Sequence, residues 1–383
     1  MPWKEATKVS ERAGLIRKWE AGVYSVAELA EEFGVSRPTV YEWTRRYREE
    51  GAAGLEDRPP VAKSCPHRTS AAIAETIIAA KRRFPHWGPA KLIDLLEIEQ
   101  PSMAWPSPST AGVILDRAGL VRRRRKRRSG VIRQTRGPLA PSASGEMMTA
   151  DHKGQFRLGD SSYCFPVTIN DPVSRFSYAI TATRSTSASE AKPVFENVFR
   201  EHGLPDFIGS DNGTPFSCSY ALAGLSAMSV WWIRLGITPI RIRPGCPWEN
   251  GVHERMHRTL KAETTRPPGA NHDAQQRRFD TFREEFNHVR PHDGIDGRRP
   301  AELLQPCRRP YPERLPAVEY PAHYETRSVR VRGEIKWQGQ FLFLTETLIG
   351  ERVGLVEIDD GIWSIYFGMI ELGRYDERTK KVN

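Results

Sequence analysis

Cysteine is scarce in this chain. There are five in 383 residues (Cys65, Cys164, Cys218, Cys246 and Cys307), an odd number with no C-x-x-C spacing. That argues against a disulfide framework and a cysteine-based zinc module, and it fits a reducing cytoplasm. Long apolar runs are also missing: no uncharged stretch approaches the ~18 residues of a membrane span. Charges run through Met1 to Glu20, so no secretory leader is expected. At 27% charged and 39% hydrophobic residues, the composition is that of a soluble globular protein. A chain this long implies several domains, at roughly 100–200 residues each.

What is abundant is positive charge, and it is unevenly placed. The formal net charge is +10; residues 1–144 carry 26 Lys and Arg against 16 Asp and Glu, whereas residues 145–383 carry 31 of each. The whole surplus lies in the first third. A concentrated basic region marks a polyanion partner, most often nucleic acid. The plain alternative is a solubilising surface.

Residues 8–50 read as three helices. The first covers about Ser10–Ala21. The second, Val26–Phe33, has Ser25 as N-cap and Glu28 three residues on, a capping box, and Gly34 ends it. Ser36 caps the third, with Pro38 in its tolerant first turn. Val40, Trp43, Thr44 and Tyr47 share one face of that helix, and Arg37, Tyr41 and Arg45 the opposite one. Helix, short turn and helix with a basic outer face is the helix-turn-helix pattern, with those three residues as the expected base readers. A generic three-helix bundle is the bland reading.

Residues 51–68 read as a Pro/Gly/Ala-rich linker. Ala71–Phe84, Pro89–Glu97 and about Ser109–Gly119 read as a second, more degenerate helix-turn-helix, with Thr110 and Arg117 as candidate contacts. Seven consecutive cations come next: Arg122, Arg123, Arg124, Arg125, Lys126, Arg127 and Arg128. Such charges repel one another, so an extended segment tracking a DNA backbone is expected.

From Met147 the pattern turns to strands: Met147–Phe156, Tyr163–Ile169 and Phe176–Thr183. Ser187–His202 is helical in pattern, though Pro193 demands a kink or a late start. Then come a strand at Asp206–Ser210, a helix at Leu222–Leu235, a strand at Thr238–Arg243, and helices at Glu249–Thr264 and Ala274–Val289. The order β-β-β-α-β-α-β-α is that of a mixed sheet in a ribonuclease-H-like α/β fold. After a Pro-rich connector, hairpin signals at Arg332-Gly333, Gln338-Gly339 and Asp360-Gly361 mark about five short strands, a small SH3-like β-barrel. The expected organisation is multidomain: helix-turn-helix 1–50, linker 51–68, second helix-turn-helix-like domain 69–121, basic linker 122–144, ribonuclease-H-like core 145–305, connector 306–326 and β-barrel 327–383.

Three carboxylates stand out by context. Asp151 sits mid-strand in MTADHKGQF, where an aspartate is costly unless bound to something. Asp211 ends a strand-forming run in GSDNGTPF, and strand ends are where α/β sheets place their sites. Glu254 lies on a helix in WENGVHERMHRTLKAE. Adjacent strands are ~4.8 Å apart, so two such aspartates and a glutamate from a covering helix can converge on hard divalent cations, Mg²⁺ or Mn²⁺. Two ions can activate an attacking oxygen and stabilise a leaving one in phosphoryl displacement. Taken singly, each acid has a cap or turn role as its alternative.

The blocks TADHKG, SDNGTPF and GCPWENGVHERMHRTLKAE, with FNHVRPHDGIDGRRPAE after them, resemble the catalytic core of DDE transposases of bacterial insertion sequences, which is retroviral-integrase-like. The last block is similar to that family's N-x-x-R-P-H … P-A-E tail, here Asn287, Arg290, Pro291, His292, Pro300, Ala301 and Glu302. Helix-turn-helix units before the core and a β-barrel after it match the family's layout. The resemblance implies Asp151, Asp211 and Glu254 as the metal-binding catalytic triad and two Mg²⁺ or Mn²⁺ ions per site. It implies double-stranded DNA as partner, both element ends and target, and a homo-oligomer of at least two subunits. One departure is the interval of 42 residues between Asp211 and Glu254, longer than in many relatives. An insertion around Ser217–Trp232 explains it; Glu249 suits the shorter interval, but the G-x-x-E-R context favours Glu254.

Glu254, Arg258 and Lys261 fall at i, i+4 and i+7 on one helix face, where the cations can hold DNA phosphates beside the metals. The resemblance implies the same. The plain alternative is a solvated ion pair worth a few tenths of a kcal/mol. Two decoys share the region. His253 to His257 match H-E-x-x-H, a zinc-protease signature that would leave the DNA-binding modules without purpose. Ser189-x-x-Lys192 and Ser210-Asp211-Asn212 echo penicillin-binding motifs, but no K-T-G follows. The expectation is therefore a transposase of the bacterial cytoplasm, nucleoid-associated when DNA-bound, that cleaves and joins DNA strands. The runner-up is a non-catalytic DNA-binding regulator with a decayed core.

Overall fold

The structure is a computed structural model describing residues 7–58, 68–121, 141–218, 220–243 and 251–382. It divides into two compact units, Met1–Arg68 and Thr69–Asn383. The basic run Arg122–Arg128, and Glu249, lie outside the described residues.

The first unit holds α1 (Lys8–Glu20), α2 (Val26–Glu32) and α3 (Arg37–Glu50). Local sequence places these boundaries. Ser25 and Glu28 form a reciprocal capping box, with Ser25 N–H donating to Glu28 Oε2 at 2.7 Å. Ser36 Oγ accepts from Thr39 N–H at 3.4 Å, ahead of α3. Leu15, Ile16, Leu29, Ala30, Val40 and Leu55 form the core, with Trp43 and Tyr47 packed on it. Arg46 is buried: its guanidinium lies 4.5 Å from the Trp43 ring centre and donates to the Glu56 carbonyl at 2.7 Å.

The second unit begins with α4 (Ala71–Arg83), α5 (Pro89–Glu99) and α6 (Pro108–Arg117), which close on Ile77, Trp87, Leu92, Leu96, Ala111 and Leu115. Side chains of this module reach the segment 285–293. Trp87 Nε1 donates to Glu285 at 3.2 Å, and Lys91 Nζ donates to the Pro291 carbonyl at 2.6 Å and to Asp293 at 3.0 Å.

The central sheet comprises β1 (Met147–His152), β2 (Phe156–Arg157), β3 (Tyr163–Asn170), β4 (Ser177–Thr183), β5 (Phe207–Ser210) and β6 (Thr238–Arg241). Its order is 4-3-1-5-6, with β2 pairing the start of β3; β4, β3 and β1 run antiparallel, while β1, β5 and β6 run parallel. This mixed sheet is the ribonuclease-H-like core. On one face lie α7 (Ala188–His202) and α8 (Ala227–Arg234), burying Phe195, Phe199, Trp231 and Trp232 with Met148, Ala150, Val167 and Ile169 of the strands. Each such large apolar side chain contributes ~1.5–3 kcal/mol by leaving water. On the other face lie α9 (Gly251–Thr264) and α10 (His272–His288), through Met256, Leu260, Phe279, Phe282 and Phe286. A short α11 (Pro300–Leu303) comes after them.

Edge strand β4 leaves backbone groups that β3 does not use, and α10 satisfies them with side chains at i, i+7 and i+11. Gln276 Oε1 accepts from Ala182 N–H at 2.8 Å and its Nε2 donates to the Ile180 carbonyl at 3.0 Å; Arg283 donates to the Tyr178 carbonyl at 2.7 Å. Asn287 takes both groups of Ser177, at 2.8 and 2.9 Å. The edge is thereby closed to a further strand. The buried Asp171 carboxylate is another anchor. It accepts from Ser144 Oγ and from the N–H groups of Gly145, Val173 and Ser174, each at 2.8 Å.

The C-terminal part is all antiparallel: a five-stranded sheet of β7 (Glu325–Ser328), β10 (Arg352–Asp359), β11 (Ile362–Phe367), β12 (Ile370–Asp376) and β13 (Lys381–Val382), and a hairpin of β8 (Glu334–Trp337) and β9 (Gln340–Phe343). They form an all-antiparallel half-barrel around Val353, Leu355, Ile365 and Phe367. Gln338 and Gly339, at φ +45° and +80°, make the two-residue β8–β9 turn in which both positions are left-handed. The barrel rests on α8: Leu225, Val230 and Ile233 join its core, and Arg234 pairs with Glu351 at 3.1 Å.

Four expectations differ. The first strand stops at His152, and Phe156–Arg157 is a separate short strand, because the Lys153–Gln155 stretch containing Gly154 interrupts the pairing. The expected helix at 222–235 starts only at Ala227, since Ser226 caps it reciprocally with Ser229; a 3₁₀ turn precedes it. Pro193 lies inside α7, which begins at Ala188 without a late start. The barrel has seven strands rather than five. No helix among the described residues is long and apolar enough to cross a membrane.

Candidate active site and nucleic-acid interface

Strand alternation sorts β1. Met148 and Ala150 face the α7–α8 core, so Thr149 and Asp151 face α9. In the parallel pairing of β1 with β5, Ala150 stands opposite Ser210. Asp151 and Asp211, the next residue after each, therefore follow the last paired position, Asp151 one residue before β1 ends and Asp211 directly after β5. Both are half-buried. Asp211 is held by its own loop: Oδ1 accepts from Gly213 N–H at 3.1 Å, and Asn212 Nδ2 donates to the Ile242 carbonyl at 2.9 Å. A Cβ at position 213 would stand 3.0 Å from Asp211 Oδ2, so glycine gives that carboxylate its room.

Helix α9 presents two faces. Its inner face is His253, Met256, His257, Leu260 and Thr264, all buried; Glu254, Arg258 and Lys261 are exposed. Thr168, opposite Asp151 on β3, receives the two histidines: its Oγ1 is 2.6 Å from His253 Nε2 and 2.7 Å from His257 Nε2. His253 Nδ1 meets Thr149 Oγ1 at 3.2 Å, and His257 Nδ1 lies 3.7 Å from Asp151 Oδ2. Burial pushes the His253 pKa well down, aided by the neighbouring His257 ring. Burial likewise takes His257 down to about 3, with Lys153 and His152 adding repulsion. Both imidazoles are neutral at pH 7. Lys153 is lowered by burial and then by Lys261, with Asp151 opposing. Lys153 thus lies within electrostatic reach of both the Asp151 carboxylate and the Lys261 ammonium.

Among the described residues, one group of three His, Cys, Asp or Glu side chains has ligand atoms within 4.8 Å of one another: Asp151, His253 and His257. Glu254 is exposed and is not a member of that group. Helical geometry explains the split, since adjacent residues point about 100° apart and the sheet takes the face carrying the histidines. Sequence reasoning met His257 as part of a zinc-protease decoy; the structure buries it against Thr168. It also passed over Lys153, two residues after Asp151.

The other candidates are scattered. Arg37 and Tyr41 are exposed on α3, Tyr41 at 62%. Arg45 is exposed but held between Glu42 at 2.8 Å and Glu49 at 3.2 Å. Thr110 is exposed in the first turn of α6, with its hydroxyl 3.1 Å from Ser107 Oγ, and Arg117 is exposed in the last. The FNHVRPH block acts in packing. Arg290 is buried between Glu263 at 2.5 Å and Glu285 at 2.7 Å, against the rings of Trp87, Phe282 and Phe286. It ties the end of α9 to α10.

Comparison with known proteins gives four matches to families along the chain. Residues 11–62 match a helix-turn-helix domain and 39–115 a homeodomain-like domain. Residues 235–300 match an integrase core domain, and 324–383 match the C-terminal domain of IS481 family transposases. Solved structures that match include the HTLV-2 integrase catalytic core domain in complex with magnesium, at 12% identity and TM-score 0.35, covering 43% of this chain and 100% of that one. The simian T-cell lymphotropic virus intasome in complex with the PP2A regulatory subunit B56 gamma matches at 17% identity and TM-score 0.37, covering 76% and 97%. The BIV integrase catalytic core matches at 18% and 0.32, covering 42% and 93%.

Proposed function

We propose that this chain, which resembles insertion-sequence transposases with helix-turn-helix domains and an integrase core, binds its element's terminal inverted repeats, cleaves a strand at each end and joins the freed 3′-OH to target DNA. The observation that supports this most is the β1–β5 register, in which Asp151 and Asp211 each follow the last paired position of neighbouring parallel strands, on a sheet covered by the helix that bears Glu254. Carboxylate oxygens suit Mg²⁺ or Mn²⁺, and Asp151, Asp211 and Glu254 would hold two such ions. When bound, the ions supply activation of the attacking oxygen and stabilisation of the leaving one.

The chain's own groups bind and orient. Lys153, Arg258 and Lys261 offer positive charge for phosphates beside the carboxylates. Arg37, Tyr41 and Arg45 read bases, Thr110 and Arg117 contact DNA from the second module, and Arg122–Arg128 track the backbone. In cleavage, a water oxygen bonds to phosphorus as the bond to the 3′ oxygen breaks. In transfer, the 3′-OH attacks a target phosphorus and a target 3′ oxygen leaves. One phosphodiester replaces another, so no nucleotide cofactor is required. Pairing two ends calls for more than one active site, hence a homo-oligomer. The working location is the bacterial cytoplasm, on the nucleoid.

The test is nicking of DNA carrying the sequences that flank the coding region, with Mg²⁺ and the full chain. Asp151→Asn, Asp211→Asn or Glu254→Gln should each lower cleavage by roughly a thousandfold or more while end binding persists, since only ion binding is lost. Wild-type protein that binds ends and never nicks them would instead be the non-catalytic regulator. Near-wild-type cleavage by Glu254→Gln would pass the third role to Glu249.

A further inference from the structure

Thr168 carries a single hydroxyl proton, and three groups crowd its oxygen. Oγ1 donates to the Asp151 carbonyl at 3.0 Å. With that proton spent, it accepts from His257, whose own proton then sits on Nε2. For His257 this leaves a lone pair on Nδ1, and that lone pair faces Asp151 Oδ2 at 3.7 Å. The separation is too long for a hydrogen bond. Two acceptors facing each other in a buried setting repel. Two donors each ~2.1 Å from one ion, however, lie roughly 3–4 Å apart.

We infer that His257 is a further ligand of the cation that Asp151 binds, through Nδ1, with Thr168 and His253 as positioning residues. The inference rests on the reading of Asp151 as a cation ligand. His253 is no ligand itself, because its Nε2 meets Thr168 and its Nδ1 meets Thr149 at 3.2 Å. A ring N–H held by a hydrogen bond, with the other nitrogen open, is how proteins present histidine to a metal. Lys153, Lys261 and His152 stand close by, the two lysines opposing the ion's charge. A nitrogen donor makes the site favour Mn²⁺ over Mg²⁺ relative to an all-carboxylate site.

Pulsed EPR of Mn²⁺ bound to the full chain reads the ligand directly. Wild type should show a nitrogen coupling that changes on ¹⁵N-histidine labelling, a measurement needing no substitution. His257→Ala should remove the coupling and weaken Mn²⁺ binding roughly tenfold or more. His253→Gln should keep the coupling. Mn²⁺ bound without histidine coupling in wild type, but lost in Asp151→Asn, would overturn the role of His257 and leave the carboxylate reading standing. Mn²⁺ retained in Asp151→Asn would overturn both. Coupling lost in His253→Gln but kept in His257→Ala would overturn the assignment, as would stoichiometric zinc lost in either variant.

Discussion

The two helical modules are built from similar parts and are used differently. Helices α1–α3 close on their own six-residue core and form a separate compact unit, with Arg37 and Tyr41 exposed on the last helix. Helices α4–α6 have a comparable apolar core, but Trp87 and Lys91 bind Glu285, Pro291 and Asp293, more than 190 residues away. The first module keeps an exposed helix face that carries Arg37 and Tyr41. The second is a fixture of the larger unit, held at a set position relative to the mixed sheet. The N-x-x-R-P-H block serves that fixture: Asn287 closes the β4 edge, and Arg290 joins Trp87, Glu263 and Glu285.

The contrast between the modules breaks most visibly at Arg290. Arg290→Ala leaves Glu263 and Glu285 without their shared partner, and removing one member of a buried ion pair costs ~3–5 kcal/mol. Chemical denaturation should show that loss in the transition of the larger unit, with the transition of residues 1–68 unmoved. Equal shifts in both would mean the two units unfold together.

Next is pH. Burial takes His292 down to about 4, with its hydrogen bond to the Phe286 carbonyl opposing and Lys91 and Arg290 adding to the fall. The unfolded state then binds a proton that the folded state refuses between about pH 4 and 6.5. Stability rises with pH across that window, by up to ~1.4 kcal/mol per unit, and is lost as pH falls. His292→Gln should flatten that much of the slope in denaturation series at pH 5 and 6.5; an unchanged slope would refute the neutral buried histidine.

A comparable effect belongs to the first module. Arg37→Ala and Tyr41→Ala should each cost ~1–3 kcal/mol of discrimination between cognate and scrambled ends, if each reads a base edge. Arg45→Ala should cost less, because Glu42 and Glu49 already engage its guanidinium. Binding isotherms on both sequences decide it, and uniform weakening on both would give α3 a positioning role only.

The smallest change is Lys91→Ala. It removes a charged hydrogen bond to the Pro291 carbonyl and a partly exposed pair with Asp293, about 1–2 kcal/mol together. Hydrogen exchange should speed up at α5 and leave α1–α3 untouched. No change at α5 would show that the apolar contacts alone hold the second module.

Local signals carried much of the architecture. Ser25 with Glu28, and Ser36 ahead of Pro38, announce their helices because caps act within four residues. Gln338-Gly339 announces its hairpin because the turn needs two left-handed residues in succession. Strand alternation puts Asp151 opposite to Met148 and Ala150. Yet Ser226 was legible as a cap only once Ser229 was seen to answer it, which is why the helix at 222–235 was expected too early.

Tertiary structure decided the matters that depend on distant partners. Gln276, Arg283 and Asn287 look like ordinary polar residues of a surface helix until β4, 94 to 110 residues earlier, presents an open edge. Asp171 has the same context as a candidate site acid, a strand end, but five donors bury it as a structural anchor. On α9 the sequence determined which residues share a face, through the 3.6-residue period alone. Which face turns inward was decided by Thr149 and Thr168, whose hydroxyls satisfy His253 and His257 and so allow two imidazoles to be buried beside the carboxylate of Asp151. Periodicity is a property of one segment, whereas satisfying a buried polar group takes partners that only folding brings within reach.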